Sequence, residues 1–138
     1  MKHYNVVAAV VCREDRFLCM QKGKTKFDYT SFKFEFPGGK IEPGETPQEA
    51  LHRELLEEMN YDVRVGKQLV TVEHTYPDFG ITMTAFLCSA DSAEFVMNEH
   101  VASAWKRKEE LTELDWAAAD VDVVKAICES SDDACCHR

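Results

Sequence analysis

The order of patterns along the chain predicts an α/β (α+β) fold in which a mixed β-sheet lies between helical layers. The first observation is a near-continuous, Val-rich apolar run at 4–12, which is typical of a strand buried on both faces. The second is a long helical pattern that begins at residue 46 and has strand patterns on both sides. The third is another helical pattern near the C-terminus, which would supply the second helical layer.

Strand patterns precede the long helix, and they end at the glycine pair Gly38-Gly39. The strict alternation of 32–36 (FKFEF) predicts a half-buried strand. The predicted elements are a strand at 4–12, a turn at 13–15, a returning strand at 16–21, a polar loop at 22–31 and a strand at 32–36. On its own, the Pro37-Gly38-Gly39 tripeptide predicts an ordinary turn.

The long helix has a clear start signal. Thr46 is a good N-cap, Pro47 suits the first helical position, and Glu49 completes a capping box with Thr46. At 100° per residue, one broad apolar arc is predicted to be buried. Its members are Leu51, Leu55, Leu56 and Met59. The carboxylates of Glu54, Glu57 and Glu58 fall on an adjoining arc, so they border the buried face.

These three carboxylates repel one another. Like charges three or four residues apart on a helix cost about 0.2–0.5 kcal/mol per pair. Two of them lie near the helix C-terminus, where the macrodipole disfavours anions, and no basic residue follows within four positions. A solvated acidic face is the simpler reading. A hard divalent cation held through oxygen would remove the repulsion, so we expect a Mg²⁺ site that also accepts Mn²⁺.

Further strand patterns follow the helix, and a helical pattern ends the sequence. The predicted elements are strand character within 62–75, a hairpin tip at 76–80, strands at 81–88, 94–97 and 101–106, a short helical turn at 109–114 and a helix at 121–128.

Composition excludes several classes of protein. The chain has 138 residues and a net charge of −9, which argues against a nucleic-acid-binding surface. It does not exclude phosphorylated substrates, which can arrive as magnesium complexes. No apolar run approaches the roughly 20 residues of a membrane span, and the N-terminus lacks a signal-peptide pattern. We therefore expect a cytoplasmic protein with a small-molecule substrate and no nucleic-acid or membrane partner, either monomeric or homodimeric.

Six cysteines raise the question of disulfides. Cys12, Cys19 and Cys88 lie in apolar, strand-like runs, where free Cys behaves as a small hydrophobe, so reduced thiols are expected. The C-terminal Cys135-Cys136-His137 lacks the spacing of zinc sites. We expect a disordered tail at 130–138 after a single domain at 1–129.

Residues 38–61, GGKIEPGETPQEALHRELLEEMNY, resemble the Nudix box, Gly-x5-Glu-x7-Arg-Glu-U-x-Glu-Glu-x-Gly-U, where U is a bulky aliphatic residue. The seven matching residues are Gly39, Glu45, Arg53, Glu54, Leu55, Glu57 and Glu58. There are two departures. Asn60 replaces the last glycine of the box and Tyr61 replaces its final aliphatic residue. Asn tolerates the left-handed conformation well, and neither departure affects a carboxylate.

The resemblance implies an α/β/α Nudix sandwich over residues 4–129 and hydrolysis of a diphosphate bond. It implies that Glu54, Glu57 and Glu58 hold metal together with the Gly38 carbonyl oxygen. Either Glu54 or Glu57 would be the general base. The family also suggests that Arg53 holds Glu45, so both would support the loop and the helix. From helical spacing alone, Arg53 could also pair with Glu49.

Other site residues are expected outside the carboxylate cluster. MutT-type members of the family place a glutamate on a loop before a late strand ending in Trp, and Glu99 matches it here, with a surface glutamate as the alternative. Lys22 stands where those members carry a phosphate-binding arginine, and Lys40 is a second phosphate candidate. Phe36 and Phe79 are predicted to bind substrate. His74 and His100 are expected to be packing or rim residues.

The predicted substrate is a nucleoside triphosphate, because the segments 34–40 and 44–47 closely resemble the MutT group. That group has an Asn just before the C-terminal helix, where this chain has Asp120. An ionised Asp can only accept hydrogen bonds, which suits N4 of cytosine. We therefore expect a cytosine-containing triphosphate such as CTP, with 8-oxo-dGTP as the close competitor. Asp120 could instead cap the helix at 121–128.

Two other functions remain open. Hydrolysis of dinucleoside polyphosphates or sugar nucleotides is an alternative within the enzymes. A non-catalytic Nudix-fold sensor is an alternative of another class, although such modules normally lose box carboxylates that this chain keeps.

Overall fold

The protein is described by a computed structural model over residues 1–130. It contains seven strands, two α-helices and a 3₁₀ helix at Lys108–Glu113 within those residues. The strands are β1 (Lys2–Arg13), β2 (Arg16–Lys22), β3 (Phe34–Glu35), β4 (Gly38–Lys40), β5 (Arg64–Thr75), β6 (Phe79–Ser89) and β7 (His100–Arg107). The helices are α1 (Pro47–Met59) and α2 (Ala118–Glu129).

The strands form a mixed sheet. Its main order is β3-β2-β1-β6-β5, with β4 also paired to β1 and β7 to β2. The β1 and β6 strands are parallel over a long register, from Lys2 opposite Phe79 to Val11 opposite Cys88. The other pairings are antiparallel. The predicted fold class is therefore confirmed.

Each face of the sheet carries its own apolar core. Along β1, Val7 and Val11 join the core that contains Leu51 and Leu55 of α1. The intervening Val10 joins the opposite core with residues of α2. Successive side chains of a strand point to opposite faces, so a Val-rich run without polar interruptions lies between two helical layers. The strand is buried on both faces, as its composition predicts.

The start and end of α1 follow the sequence signals. Thr46 accepts a hydrogen bond from the Glu49 backbone N, and the Glu49 side chain accepts one from the Thr46 backbone N–H. At the other end, Asn60 has φ 49° and ψ 40°, the left-handed conformation. The prediction for Leu56 is wrong, because its side chain is exposed. The buried arc instead includes Ala50, which lies on the far side of Leu51 from Leu56.

Several predicted element boundaries need correction. Residues 94–97 form no strand, since the backbone N of Val96 donates to the carbonyl of Met59 instead of to a strand. The alternating segment 32–36 pairs only over Phe34–Glu35. Pro37-Gly38-Gly39, which on its own predicts a turn, instead leads into a short strand at Gly38–Lys40 that pairs with β1. The last helix begins at Ala118 rather than at residue 121.

The tail was predicted at 130–138; Ser130 is the C-cap of α2, and the rest, with Cys135-Cys136-His137, lies outside the described residues. Cys19, Cys88 and Cys128 are free thiols. Cys12 is disulfide-bonded, which contradicts the expectation of reduced thiols. Over residues 1–130, no helix is long and apolar enough to span a membrane.

Candidate active site

Arg53 connects the loop before α1 to the acidic face of the helix through hydrogen bonds and ion pairs. Its Nε and Nη2 atoms donate to the two carboxylate oxygens of Glu45. Nη2 also donates to the Lys40 carbonyl at 3.2 Å. Nη1 reaches Glu54 Oε2 at 3.3 Å and Glu57 Oε1 at 3.1 Å. One guanidinium therefore orients the loop and two of the predicted metal ligands.

This network corrects one sequence prediction. Arg53 does not pair with Glu49, because the Glu49 carboxylate is engaged at the helix N-terminus, where it accepts from Thr46 N at 2.9 Å. The hydrogen bond from Arg53 lowers the pKa of Glu45, with help from the backbone N–H of Glu42. Arg53 also partly relieves the carboxylate repulsion, although it precedes Glu54 and Glu57 in the helix.

Glu54 lies directly against the glycine pair of β4. A Cβ added to Gly39 would run into the Glu54 carboxyl group. Burial raises the pKa of Glu54, opposed by the charge of Arg53. A Cβ added to Gly38 would instead run into the carbonyl of Val7, the neighbouring residue on β1. Glycine is therefore required at both positions, at Gly38 for strand pairing and at Gly39 for approach to the carboxylate.

Glu58 and Glu99 form a carboxyl–carboxyl pair across the surface of α1. Burial raises the pKa of Glu58 to about 7, and a hydrogen bond with Glu99 and its charge add to the effect. Asn98, the residue before Glu99, donates from Nδ2 to the Glu58 carbonyl at 2.9 Å. Sequence spacing could not place residues 58 and 99 side by side, but the structure brings them together.

Among residues 1–130, no group of three or more His, Cys, Asp or Glu side chains is arranged as it stands to hold a metal ion. The reason is visible in the contacts, since Glu54 and Glu57 turn towards Arg53 while Glu58 turns towards Glu99. The donors nevertheless suit a hard cation. All are carboxylate oxygens, that of Glu54 lies beside Gly39, and a cation would relieve the Glu58–Glu99 repulsion. The metal-ligand assignment stays a prediction.

A pocket of about 750 Å³ opens beside β4. Gly38, Gly39 and Lys40 form part of its wall. Its volume is within the range of small-molecule sites. Aromatic side chains form much of the remaining wall, and they are Tyr4, Phe27, Phe36, Tyr76 and Phe79. A second cleft, of about 740 Å³, lies between the β1–β2 turn and the end of β7 and contains none of the predicted site residues.

Most of the aromatic wall is a set of rings in mutual contact around Phe79. The Phe79 ring lies 4.9 Å from that of Tyr76 and 5.7 Å from that of Phe27. Tyr29 stacks on Phe27 at 5.1 Å, and its hydroxyl donates to Asp78 Oδ2 at 2.7 Å. This bond joins the 22–31 loop to the tip of the β5–β6 hairpin. Phe79 was predicted to lie in the site, whereas the contributions of Phe27 and Tyr76 were missed.

Asp120 lines this pocket. It is a buried residue in the first turn of α2, and Ala117 occupies the N-cap position, so the prediction that Asp120 caps the helix is wrong. Asp120 Oδ1 instead accepts from the Phe36 backbone N at 3.0 Å. Burial and then the charge of Glu35 raise the pKa of Asp120 to about 8. This shift favours the protonated form of Asp120 over the ionised form that a cytosine reader needs.

The predicted substrate-binding residues occupy different parts of the pocket wall. The Phe36 ring is buried and stacks on Trp116 at 4.6 Å. Lys40 Nζ lies 4.4 Å from the Tyr4 ring centre, and Lys22 Nζ lies 3.4 Å from Glu35 Oε1. Both lysines line the pocket.

The two histidines were expected to be packing or rim residues. His74 packs edge-on against the Tyr76 ring at 4.5 Å. His100 Nε2 lies 2.9 Å from Glu35 Oε2. These are the contacts of residues that support the site.

Comparison with known sequences identifies the family. The NUDIX domain family model matches residues 1–127. An 8-oxo-dGTP diphosphatase from Proteus vulgaris is 41% identical over 86 residues, covering 62% of this chain and 76% of that protein. A CTP pyrophosphohydrolase from Escherichia coli K12 is 31% identical over 126 residues, covering 91% of this chain and 92% of that protein.

Solved structures agree with this assignment. The solution structure of the E. coli ORF135 protein matches with a TM-score of 0.78 and 29% identity, covering 96% of both chains. A MutT NUDIX hydrolase from Burkholderia pseudomallei has a TM-score of 0.80 and 20% identity, covering 92% of this chain and 99% of that one. At that identity, the second match supports the fold alone.

Proposed function

The chain belongs to the Nudix hydrolase family, and we propose that it is a Mg²⁺-dependent pyrophosphohydrolase that converts a nucleoside triphosphate to the monophosphate and pyrophosphate. In the cell this reaction would remove unwanted nucleotides from the precursor pool. The coarser statement, a hydrolase acting on nucleotides, follows from the family and its named relatives.

One observation carries the proposal. Gly39 lines the aromatic pocket and also lies against the Glu54 carboxyl group. A base bound among the aromatic rings would therefore extend its phosphates past the glycine pair towards the acidic face of α1. Lys22 and Lys40 line the same pocket and can meet the phosphate charge.

The ligands for Mg²⁺ would be Glu54, Glu57, Glu58 and Glu99, together with the Gly38 carbonyl oxygen. When bound, the ion would neutralise phosphate oxygens and acidify water. Mn²⁺ would substitute, because it prefers the same oxygen donors.

The protein's own residues orient the reactants and move the proton. Glu54 or Glu57 would accept the proton of the water that attacks the α- or β-phosphorus. Arg53 contacts both carboxylates, and Glu45 holds Arg53 in turn, so these two residues act by positioning. Lys22 and Lys40 would bind the phosphate oxygens.

We propose Asp120 as the reader of the base. It is a buried residue that lines the pocket, and one of its oxygens accepts from the Phe36 backbone N–H. In its protonated form, a second oxygen carries a hydrogen. Asp120 then offers an acceptor and a donor, as an Asn side chain does, and it could donate to a purine O6. In its ionised form, it would accept from the N4 amine of cytosine.

Two classes of base therefore remain candidates, each supported by a different observation. The long alignment with a CTP pyrophosphohydrolase favours a cytosine-containing triphosphate. The raised pKa of Asp120, at about 8, favours 8-oxo-dGTP at neutral pH, and the 8-oxo-dGTP diphosphatase from P. vulgaris has the higher sequence identity.

The test is a hydrolysis screen at low substrate concentration with and without Mg²⁺. The substrates are CTP, dCTP, 5-methyl-dCTP, 8-oxo-dGTP, dGTP, ADP-ribose and a diadenosine polyphosphate, with the products resolved by chromatography. Release of pyrophosphate from a triphosphate in the Mg²⁺ sample alone is the expected result. Preferential cleavage of ADP-ribose or the diadenosine compound would contradict the triphosphate assignment.

The same screen with Asp120→Ala and Asp120→Asn tests the base reader. We expect Asp120→Ala to reduce the spread of kcat/KM among bases, because it removes both hydrogen-bonding groups. Asp120→Asn should largely keep a preference for 8-oxo-dGTP but lose a preference for cytosine. An unchanged ranking in Asp120→Ala would show that another group reads the base.

A further inference from the structure

The strand register brings three polar side chains to one end of the sheet. Lys22 on β2 is the direct partner of His100 on β7. Glu35 on β3 is the partner of Met20, two residues before Lys22 on β2. Residues two apart on a strand share a face, and so do direct partners across a ladder. Lys22, Glu35 and His100 therefore converge although they are far apart in the sequence.

The Glu35 carboxylate joins the other two side chains. Its Oε2 atom lies 2.9 Å from His100 Nε2, and its Oε1 atom lies 3.4 Å from Lys22 Nζ. The His100 side chain is only 9% exposed, so this contact is shielded from water. A carboxylate that holds a nearly buried imidazole restricts the rotation of that ring.

His100 is also one end of the segment that carries Glu99. At the other end, the Val96 backbone N–H and the Asn98 side chain bind the last carbonyls of α1, those of Met59 and Glu58. The segment that carries Glu99 is therefore held on one side by hydrogen bonds to α1 and on the other by the contact of His100 with Glu35. Its carboxyl group meets that of Glu58 from this position.

We propose that Glu35 is a positioning residue that holds Glu99 over α1 through His100 and aligns Lys22 with the pocket. The inference rests on the proposed function, in which Glu99 is a metal ligand and Lys22 binds phosphate. It adds a residue outside the acidic helix that couples the metal end of the site to the phosphate end.

Glu35 can also act in the opposite way, by weakening the binding of phosphate, and this alternative makes the proposal testable. A carboxylate beside Lys22 reduces the positive charge available to a phosphate. If charge reduction were its main effect, removal of Glu35 would tighten nucleotide binding. If positioning is its main effect, removal of Glu35 weakens nucleotide binding and metal binding together.

The experiment measures Mn²⁺ binding by electron paramagnetic resonance, from the signal of free Mn²⁺, on protein without nucleotide. It compares the unmutated protein with Glu35→Ala, Glu35→Gln, His100→Ala and Lys22→Met. Asp115→Asn is the matched control, because it breaks an exposed lysine–carboxylate pair with Lys33 outside the pocket. Thermal unfolding of each variant establishes that it is folded.

We expect Glu35→Ala and His100→Ala to weaken Mn²⁺ binding by about tenfold, the lower range for loss of a group that orients a metal ligand. Glu35→Gln should restore much of that affinity, because its amide oxygen can still accept from His100. Lys22→Met and Asp115→Asn should leave Mn²⁺ affinity unchanged. The KM for the nucleotide should rise about threefold in both Glu35 variants, as for loss of a partly exposed ion pair.

Different results overturn different conclusions. Normal Mn²⁺ affinity in Glu35→Ala and His100→Ala, with normal binding by the unmutated protein, would overturn the positioning role alone. A lower KM in Glu35→Ala would assign Glu35 to charge reduction instead. Lack of Mn²⁺ binding by the unmutated protein would overturn the proposed metal site, and the inference with it.

Discussion

The site has two ends that are built in different ways. We propose that the metal end, on the acidic face of α1, binds Mg²⁺ and that the base end, the pocket around Asp120, binds the base. Glu54, Glu57 and Glu58 lie within five residues of one helix, and a single guanidinium contacts two of them. The base end combines the 22–36 region, the tip of the β5–β6 hairpin and the start of α2. A change at the metal end should therefore alter turnover, whereas changes at the base end should alter the affinity for substrate and the choice of base.

The largest effect is expected at the metal end from Glu57→Gln and Glu54→Gln. Each replaces a carboxylate by a neutral amide of the same shape. The variant that removes the general base should lose about 10²–10⁴-fold in kcat, the usual contribution of general-base catalysis. The kcat of both variants at saturating Mg²⁺ and nucleotide is the measurement.

Glu73→Gln is the control for these variants, because it removes an exposed carboxylate from β5. It should retain full activity. If Glu54→Gln and Glu57→Gln both keep near-normal kcat, neither residue is the base, and the site assignment is wrong.

Substitutions of the two adjacent glycines of β4 should have different effects, one mainly on kcat and the other mainly on stability. Gly39→Ala places a methyl group against the Glu54 carboxyl group, which can rotate away, so we expect kcat to fall about 10–100-fold with little loss of stability. Gly38→Ala places its methyl group against the Val7 carbonyl, which cannot move without breaking the β4–β1 pairing. It should lower the urea midpoint clearly. Equal loss of stability in both variants would contradict this division.

At the base end, Asp120 should make stability depend on pH. Its pKa is raised from 3.8 to about 8, so the folded protein holds this proton more tightly than the unfolded chain does. Stability is therefore lost as pH rises from about 4 to about 8. Each unit of pKa difference is worth about 1.4 kcal/mol. Asp120→Asn cannot ionise and should lack this loss.

Urea unfolding of both proteins at pH 5, 7 and 9 is the measurement. The stability of Asp120→Asn relative to the unmutated protein should increase from pH 5 to pH 9. A difference that stays constant over this range would mean that Asp120 is ionised throughout, which would support the cytosine assignment.

A smaller effect is expected from Tyr29→Phe, which removes the hydrogen bond to Asp78 but keeps the stacked ring. One hydrogen bond is worth about 0.5–1.5 kcal/mol, so loosening this contact should raise KM by about two- to tenfold with kcat unchanged. Tyr61→Phe is the matched control, since it removes a bond to the Ser92 carbonyl away from the pocket. It should change stability and leave KM as it was.

The contrast between the two ends also explains what sequence alone could predict. The capping box at Thr46 and the spacing of the glutamates depend on residues within a few positions, so helix geometry determined their arrangement. Even there, helical spacing suggested Glu49 as the partner of Arg53, whereas its pairing with Glu45 on the preceding loop followed only from the family resemblance. The strand predicted at 94–97 failed for a similar reason, since its backbone binds the end of α1.

At the base end, prediction from sequence was weaker. Phe27 lies in a loop of mainly polar residues. The only sequence signal of a pocket wall there is that Phe27 and Tyr29 are close together in the chain. Asp120 is buried, its carboxyl group accepts from the Phe36 backbone N, and the charge of Glu35 acts on its pKa; both residues lie more than 80 positions earlier in the chain. Such effects follow from tertiary packing and have no local pattern.

The smallest effect should come from substitution of Asn60, the residue at the end of α1 that departs from the family pattern. Asn60 holds φ 49° where the family pattern has glycine, and its backbone N–H closes the helix on the carbonyls of Leu55 and Leu56. Asn60→Gly relieves a small steric cost but gives the unfolded chain more freedom, so the two effects nearly cancel. We expect a stability change below about 1 kcal/mol and normal kcat. Asn60→Val should be clearly destabilised, because a β-branched side chain resists positive φ. Equal stability of the Gly and Val variants in urea would show that the left-handed turn does not constrain this end of the helix.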